Sequence, residues 1–300
     1  MGLEKETEIQ DGRLTYEVRG DGICIKSCKV ILGRVIIPTT IDRLPVTEID
    51  KKAFLSCKAL REIRLPQGLA KIGDWAFAYC SELAAISLPR RNLSMGKGVF
   101  KDCHKLENIR LLDLDGQCEE QVGWLLGAVC GKLEADYLFT PGEAGQKEWL
   151  LRFDDKLREF LAAPDEDGFV KMVYCGEEDI VANVEFYLAE RRREKARLCY
   201  LRLINDVGLM EGFRQELEAY LSAHTKDCAS EAAWEVVFGE HGNERSYYET
   251  FARAGCLNQE NYDGILLEMG ENFPEMKAFL MRRQSRQGAE EDFFAGLSLD

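Results

Sequence analysis

Histidine is nearly absent from this chain: His104, His224 and His241 are the whole supply in 300 residues. None stands in H-E-x-x-H, and no G-x-S-x-G, P-loop or G-x-G-x-x-G run occurs, so the spacings that build zinc proteases, serine hydrolases and nucleotide pockets are missing. No stretch of 18 apolar residues exists, so no segment reads as a membrane-spanning helix. A secretory leader needs a basic start and an apolar run, whereas the N-terminus, MGLEKETEIQDGR, is acidic and polar. A strong basic patch is lacking too. Up to Gly116 there are 19 lysines and arginines against 16 acids, and from Gln117 onward 20 against 37. The acidic half repels nucleic acid and anionic lipid, so neither is expected as a partner.

Cysteine, by contrast, is plentiful at eleven. An odd number, set mostly inside apolar patterns, argues against a secreted disulfide framework and for small buried hydrophobes in a reducing compartment. A cytoplasmic location is therefore expected; a cell-surface or secreted one stays open if a leader has been removed. Cys24 and Cys28 have a C-x-x-x-C spacing, but no second pair with histidines accompanies them, and no metal site is expected. Asp165 and Asp167 before Gly168 begin like a calcium loop; Phe169 then takes the next ligand position and Gly176 stands where the twelfth-position glutamate is needed. At 300 residues, two domains are the natural expectation.

One stretch repeats every 23 residues. VTEIDKKAFLSCKALREIRLP, LAKIGDWAFAYCSELAAISLP and LSMGKGVFKDCHKLENIRLL align Phe54, Phe77 and Phe100, then Cys57, Cys80 and Cys103. Leu60, Leu83 and Leu106 form the next column, followed by Ile63, Ile86 and Ile109, and by Leu65, Leu88 and Leu111. A fixed period with an L-x-x-I-x-L core marks a leucine-rich solenoid, whose coils bury their apolar rows only against each other. A column of thiols could be a redox or metal site, but a buried column of small hydrophobes explains all three and is the expected reading.

The run from IPTTIDRLP to ELAAISLP resembles the BspA-type bacterial leucine-rich repeat, with its V-x-x-I-x-x-x-A-F-x-x-C-x-x-L-x-x-I-x-L-P unit. The resemblance covers roughly residues 13–112. It implies that each L-x-x-I-x-L is a strand of a parallel sheet and each A-F-x-x-C a short helical or irregular turn. It also implies adhesion or protein binding, often on exported proteins. The third coil departs from the pattern, with Val99, Met95 and Leu112 replacing alanine, isoleucine and proline. Such decay is expected where other elements cover the end of the stack, and the following helices are the expected cover.

Outward positions beside the strands also align: Arg64, Ser87 and Arg110 in one row, Glu62, Ala85 and Asn108 in another. Aligned side chains are how solenoids present a surface to a protein partner, although a solvated face would be polar as well. Arg64, Ser87, Arg110, Glu62 and Asn108 are the candidate contact residues.

Residues 13–38 alternate apolar and polar between Gly20, Gly22 and Gly33, the pattern of short strands capping the first coil. From Gln117 the period becomes helical. Val122, Leu125, Leu126 and Val129 make one stripe and Leu150, Phe153, Leu157 and Phe160 a second. A long helix is expected from Glu177 to Asp206, opened by Glu177, Glu178 and Asp179, with Ile180, Val184, Tyr187 and Leu188 as its first apolar face. Its basic run, AERRREKAR, reads as a solvated face paired to Glu190 and Glu194. Five shorter helices follow from Phe213 to Met281, the last three distantly resembling ankyrin helix pairs without the T-P-L-H signature. In the tail, Phe293, Phe294 and Leu297 are expected to dock on them.

The expected fold is α+β: a short leucine-rich-repeat solenoid of parallel strands followed by an all-α domain of stacked helical hairpins. The expected divisions are an N-terminal β cap at 1–38, repeats at 39–116, an acidic helical domain at 117–285 and a tail at 286–300. The expected function is a non-catalytic protein-interaction module, with no catalytic residue and no cofactor. An enzyme with its site in the helical half, or an exported adhesin, remain the alternatives.

Overall fold

A computed structural model describes residues 3–113, 120–133, 135–169, 184–228 and 230–297; for Glu120 and 286–297 it describes the backbone. The chain divides into two compact units, 1–160 with 205–208, and 161–204 with 209–300.

The first unit opens with β1 (Lys5–Ile9), β2 (Gly12–Arg19) and β3 (Gly22–Val30), paired antiparallel. β1 falls in the stretch that reads as merely acidic and polar; its side chains are mostly exposed, so it lacks the apolar alternation that betrays a strand. Next come β4 (Arg34–Ile36), β5 (Thr40–Ile41), β6 (Leu44–Ile49), β7 (Glu62–Arg64) and β8 (Lys71–Ile72). β9 (Ala85–Pro89), β10 (Ser94–Met95) and β11 (Asn108–Leu112) complete the set. Two parallel stacks result. One runs β3–β6–β8–β10 and the other β4–β7–β9–β11, so each coil gives one strand to each. Between them lie the apolar columns, with Leu60, Ile63, Ile86 and Ile109 fully buried.

A third column of backbone bonds joins the A-F-x-x-C turns. Lys52, Phe54 and Ser56 N–H donate to the Asp74, Ala76 and Ala78 carbonyls (3.0, 2.7 and 2.8 Å). One coil on, Trp75, Phe77 and Tyr79 N–H donate to Lys97, Val99 and Lys101 (2.9, 2.9 and 2.7 Å). To turn alternate amides the same way, each coil places two residues in the left-handed region: Lys52 and Ser56, Trp75 and Tyr79, Gly98 and Asp102, all with φ between 56° and 61°. Such φ values disfavour bulky residues; a ladder of inter-coil bonds offsets the cost.

Inside the turns the phenylalanines stack, with ring centroids 4.8 Å apart for Phe54 and Phe77 and 5.6 Å for Phe77 and Phe100. The thiols point at backbone: Cys80 Sγ donates to the Phe54 carbonyl (3.1 Å) and Cys103 Sγ to that of Phe77 (3.0 Å).

The expected helical cover is present. α1 (Glu120–Gly131) lies on β11, burying Val122, Leu125, Leu126 and Val129. Gly123 and Gly127 permit this, since a Cβ there would stand 2.0 Å from the Ile109 oxygen and 2.2 Å from that of Glu107. A 3-10 turn (Asp136–Leu138) then brings Phe139 against Phe100 (5.2 Å), adding a fourth, tilted ring at the end of the stack. α2 (Lys147–Ala162) buries Trp149, whose Nε1 donates to the Leu138 carbonyl (2.8 Å).

The second unit contains α3 (Val184–Ile204), α4 (Glu211–Ala223), and α5 (Ala232–Glu235) continuing as a π-helical turn (Val236–Glu240). α6 (Arg245–Arg253), α7 (Tyr262–Met269) and α8 (Pro274–Leu297) follow. Expectations for Glu177, Glu178, Asp179 and Ile180, and for the side chains of Phe293, Phe294 and Leu297, lie outside the described residues. Val184 is exposed and Tyr187 and Leu188 half-buried; the buried face of α3 starts at Lys195. The basic run is self-paired as expected, with Arg197 on Glu190 (2.6 Å) and Arg191 on Glu194 (3.1 Å), but it is not a solvated face. Besides Arg193 with Glu190 (2.8 Å), Arg193 meets Glu235 (2.8 Å) and Arg197 meets Glu240 (2.7 Å), joining α3 to α5 and the π-helical turn. Buried Lys195 bonds the Ala163 carbonyl (2.6 Å) and Asp165 (2.7 Å), which also takes Arg192 (2.8 Å). Burial alone would raise the Asp165 carboxyl; bonds from Lys195 and Arg192 outweigh it and hold it below its ordinary value.

Four outcomes are expected. Gly127→Ala drives a methyl into the Glu107 carbonyl and should destabilise the chain by about 2 kcal/mol in urea unfolding. Gly212→Ala, with open space around its Cβ position, should be neutral or slightly stabilising. Asp165→Ala should cost about 3 kcal/mol, because Lys195 is left buried without its counter-charge. The depressed carboxyl contributes stability that is full above its unfolded value, near ~4, and lost as pH falls through the lower folded value. Asp165→Asn should therefore lose less stability than the wild type as pH falls below about 4 in acid titrations followed by circular dichroism.

Candidate interaction face

The residues that alignment singles out come together on the outer face of the β4–β7–β9–β11 sheet. Its register puts Arg34, Glu62, Ala85 and Asn108 in one cross-strand row and Ile36, Arg64, Ser87 and Arg110 in the next. The middle strand carries only Ala85 and Ser87 here. Over these small residues Arg110 Nη1 reaches back two strands to donate to Glu62 Oε1 (2.7 Å). Arg34 Nε approaches the other Glu62 oxygen at 3.4 Å. Glu62 thus sits between two guanidiniums, and Ser87 lies 5% exposed at the base.

A hollow of about 160 Å³ results, lined by Arg34, Ile36, Glu62, Arg64, Ser87 and Arg110, with Val35 and Leu112 completing it. Arg64 is exposed, and its guanidinium makes no ion pair among the described residues. Asn108 is half-buried at the end of its row and does not line the hollow. With three arginines and one glutamate, the face offers net positive charge that suits a carboxylate.

Alignment missed Arg34 and Ile36. A ruler of 23 residues laid back from Glu62 points to Thr39, because β5 and β6 form a hairpin that lengthens the first coil and places Arg34 beside Glu62. Its turn, Asp42 and Arg43 with φ of 50° and 67°, is the two-residue type that matches strand twist. Two adjacent polar residues between apolar ones were the available signal.

Elsewhere the chemistry is local. His224 Nδ1 meets the Tyr220 carbonyl (2.8 Å) and His241 Nδ1 meets Glu244 (2.8 Å), each within its own turn, while His104 is exposed. Burial pushes the Cys24 and Cys28 thiols up to about 12, away from the thiolate a metal or an electrophile needs. Among the described residues no group of three or more histidines, cysteines or acids could hold a metal, and no helix is long and apolar enough to cross a membrane.

Residues 28–116 match the family profile described as BspA type Leucine rich repeat region, in six copies. That segment is a BspA-type leucine-rich repeat region. The profile match begins inside β3 and does not extend over the helices beyond residue 116. Similar solved structures include a leucine rich cell surface protein from Faecalibacterium prausnitzii A2-165, 16% identical, over 36% of this chain and 32% of that one, with a TM-score of 0.30. A leucine-rich repeat protein from Bacteroides ovatus ATCC 8483 is 28% identical over 33% of this chain and 28% of its own, with a TM-score of 0.28. The T. pallidum Leucine Rich Repeat protein is 27% identical over 36% and 72%, with a TM-score of 0.25. This chain thus spans about a third or less of the first two. No curated protein matches it.

Proposed function

We propose that the BspA-type repeat region is a protein-interaction module that holds a partner along the outer face of β4–β7–β9–β11. Arg64, Ser87, Arg110, Glu62 and Asn108 are the contact residues, joined by Arg34. What supports this most is the state of the charges: Arg110 and Arg34 are committed to Glu62, while Arg64 projects beside the hollow with no ion pair among the described residues. A solvent-facing guanidinium next to a small concavity can bind a carboxylate without first breaking an internal pair. The helical unit is proposed as a separate acidic domain, and no cofactor or catalytic step is invoked.

The test is affinity capture from cell extract by the full chain. Arg64→Glu and Arg110→Glu should each cut recovery of the captured protein tenfold or more while leaving the circular dichroism spectrum unchanged. Equal recovery by all three proteins removes this face as the contact surface.

A further inference from the structure

The two ends of this sheet are finished differently. At β11 the helix α1 lies across the last strand, its glycines against the Ile109 and Glu107 carbonyls. At β4 no described strand pairs with the outer edge. Hydrogen bonds show which groups that edge exposes. The Gly33 carbonyl accepts from Arg61 and Glu62 N–H, and Ile37 N–H donates to the Arg64 carbonyl, so residues 33, 35 and 37 turn their polar groups toward β7. Backbone groups alternate along a strand, so Arg34 and Ile36 turn theirs outward, two donors and two acceptors in line.

Open edges are ordinarily blunted by proline, by a bulge, or by a charge hung over the edge. β4 has no proline and its register with β7 is unbroken. Arg34 leans inward across the sheet to Glu62 instead of out over the edge. Ile36 is 42% exposed there, and Ile31 and Leu32, just before the strand, are 63% and 74% exposed. Unpaired backbone, uncovered branched side chains and arginines on the same face together describe a receptor for an extended, acidic segment.

We propose that the outer edge of β4 takes up an extended segment of a partner protein as a further strand of this sheet. An acidic side chain of the segment falls in the Arg34 row, where the Arg34 side chain, 66% exposed, can take a second carboxylate while keeping Glu62, and an apolar one two residues away covers Ile36. This rests on the same sheet being the contact face and adds how the partner is held. Four backbone bonds on a three-residue strand support only weak binding by themselves. The acid and the apolar residue, two apart as the pleat requires, supply the rest.

Random dodecapeptides displayed on phage and selected on the 300-residue chain provide the probe. The expected result is enrichment of an acid and a branched apolar residue at i and i+2. In the synthesised peptide, N-methylation of alternate amides in one phase should weaken binding tenfold or more, and in the other phase should leave it unchanged. Ile36→Pro should weaken it similarly: it removes an N–H that β7 does not use, and Val35 before it is already extended, as a pre-proline residue must be. Should that variant melt early, the methylation pair decides. No enrichment, or binding indifferent to methylation in both phases, overturns strand addition. A peptide indifferent to methylation yet lost in Arg64→Glu and Arg110→Glu overturns it while the contact-face reading stands. A peptide sensitive to methylation in one phase but unaffected by those two substitutions supports strand addition and removes their row from the face.

Discussion

A coil of this solenoid has no partner for its backbone or its apolar row except the next coil, and most of the first unit follows from that dependence. Three columns of hydrogen bonds connect successive coils, one in each sheet and one through the turns. A slip of one residue would break all three and turn the apolar row outward, so the period is enforced three times over. This explains how positions such as Trp75 and Tyr79 tolerate a left-handed backbone: leaving it would forfeit bonds to Lys97 and Lys101 and tilt Phe77 out of the stack between its neighbours. It also explains the thiols. Cysteine at 80 and 103 is small enough for the gap beside each phenylalanine and gives a weak donor to the carbonyl one coil back.

A stack built this way must do something with its last coil. At the C-terminal end three devices coincide: Phe139 extends the aromatic stack, α1 presses its glycine face onto β11, and Gln67 Nε2 donates to the Leu112 and Asp113 carbonyls (3.3 and 2.9 Å) as the chain leaves the sheet. A leucine or lysine at 123 or 127 would hold the helix several ångströms away and leave the Ile109 row wet. At the N-terminal end the hairpins β1–β2–β3 extend only one of the two sheets. The other sheet starts at β4, with whose outer edge no described strand pairs.

How much was legible follows from the range of the signals. The columns of Phe54, Leu60 and Ile63 could be read because a repeated core writes the same residue types at the same spacing, and the rings do stack. The second sheet was not legible: β8 and β10 are two residues each, too short to show alternation. The turn ladder was invisible because it is carried by backbone, indifferent to whether the residue is Lys52, Trp75 or Gly98. Arg34 was lost to a hairpin that breaks the period. In the second unit the pairing of Arg193 with Glu190 lies within one helical turn and could be anticipated. Glu235 and Glu240 lie more than 40 residues away, and only the packing of α3 against α5 reveals that these arginines tie helices together. On the contact face, residue identity was legible and commitment was not; alignment cannot tell which arginine has already spent its charge.

That commitment is set by the middle strand. Glu62 and Arg110 lie on strands separated by β9, and they meet because Ala85 and Ser87 raise nothing between them. Isolated ion pairs this exposed contribute little to stability, on the order of 0–1 kcal/mol, so the pair's main effect is one of placement. It pins Arg110 across the hollow and draws Arg34 inward, leaving Arg64 as the cation of its row with no ion pair among the described residues. The core beneath, Ile63, Ile86 and Ile109, is blind to these choices, since inward and outward residues alternate along each strand. Substituting the outer rows therefore changes what the surface can hold at little cost to the stack. The unbroken pairing of β4 with β7 keeps its outer edge, with which no described strand pairs, in the unbulged register that an incoming strand requires.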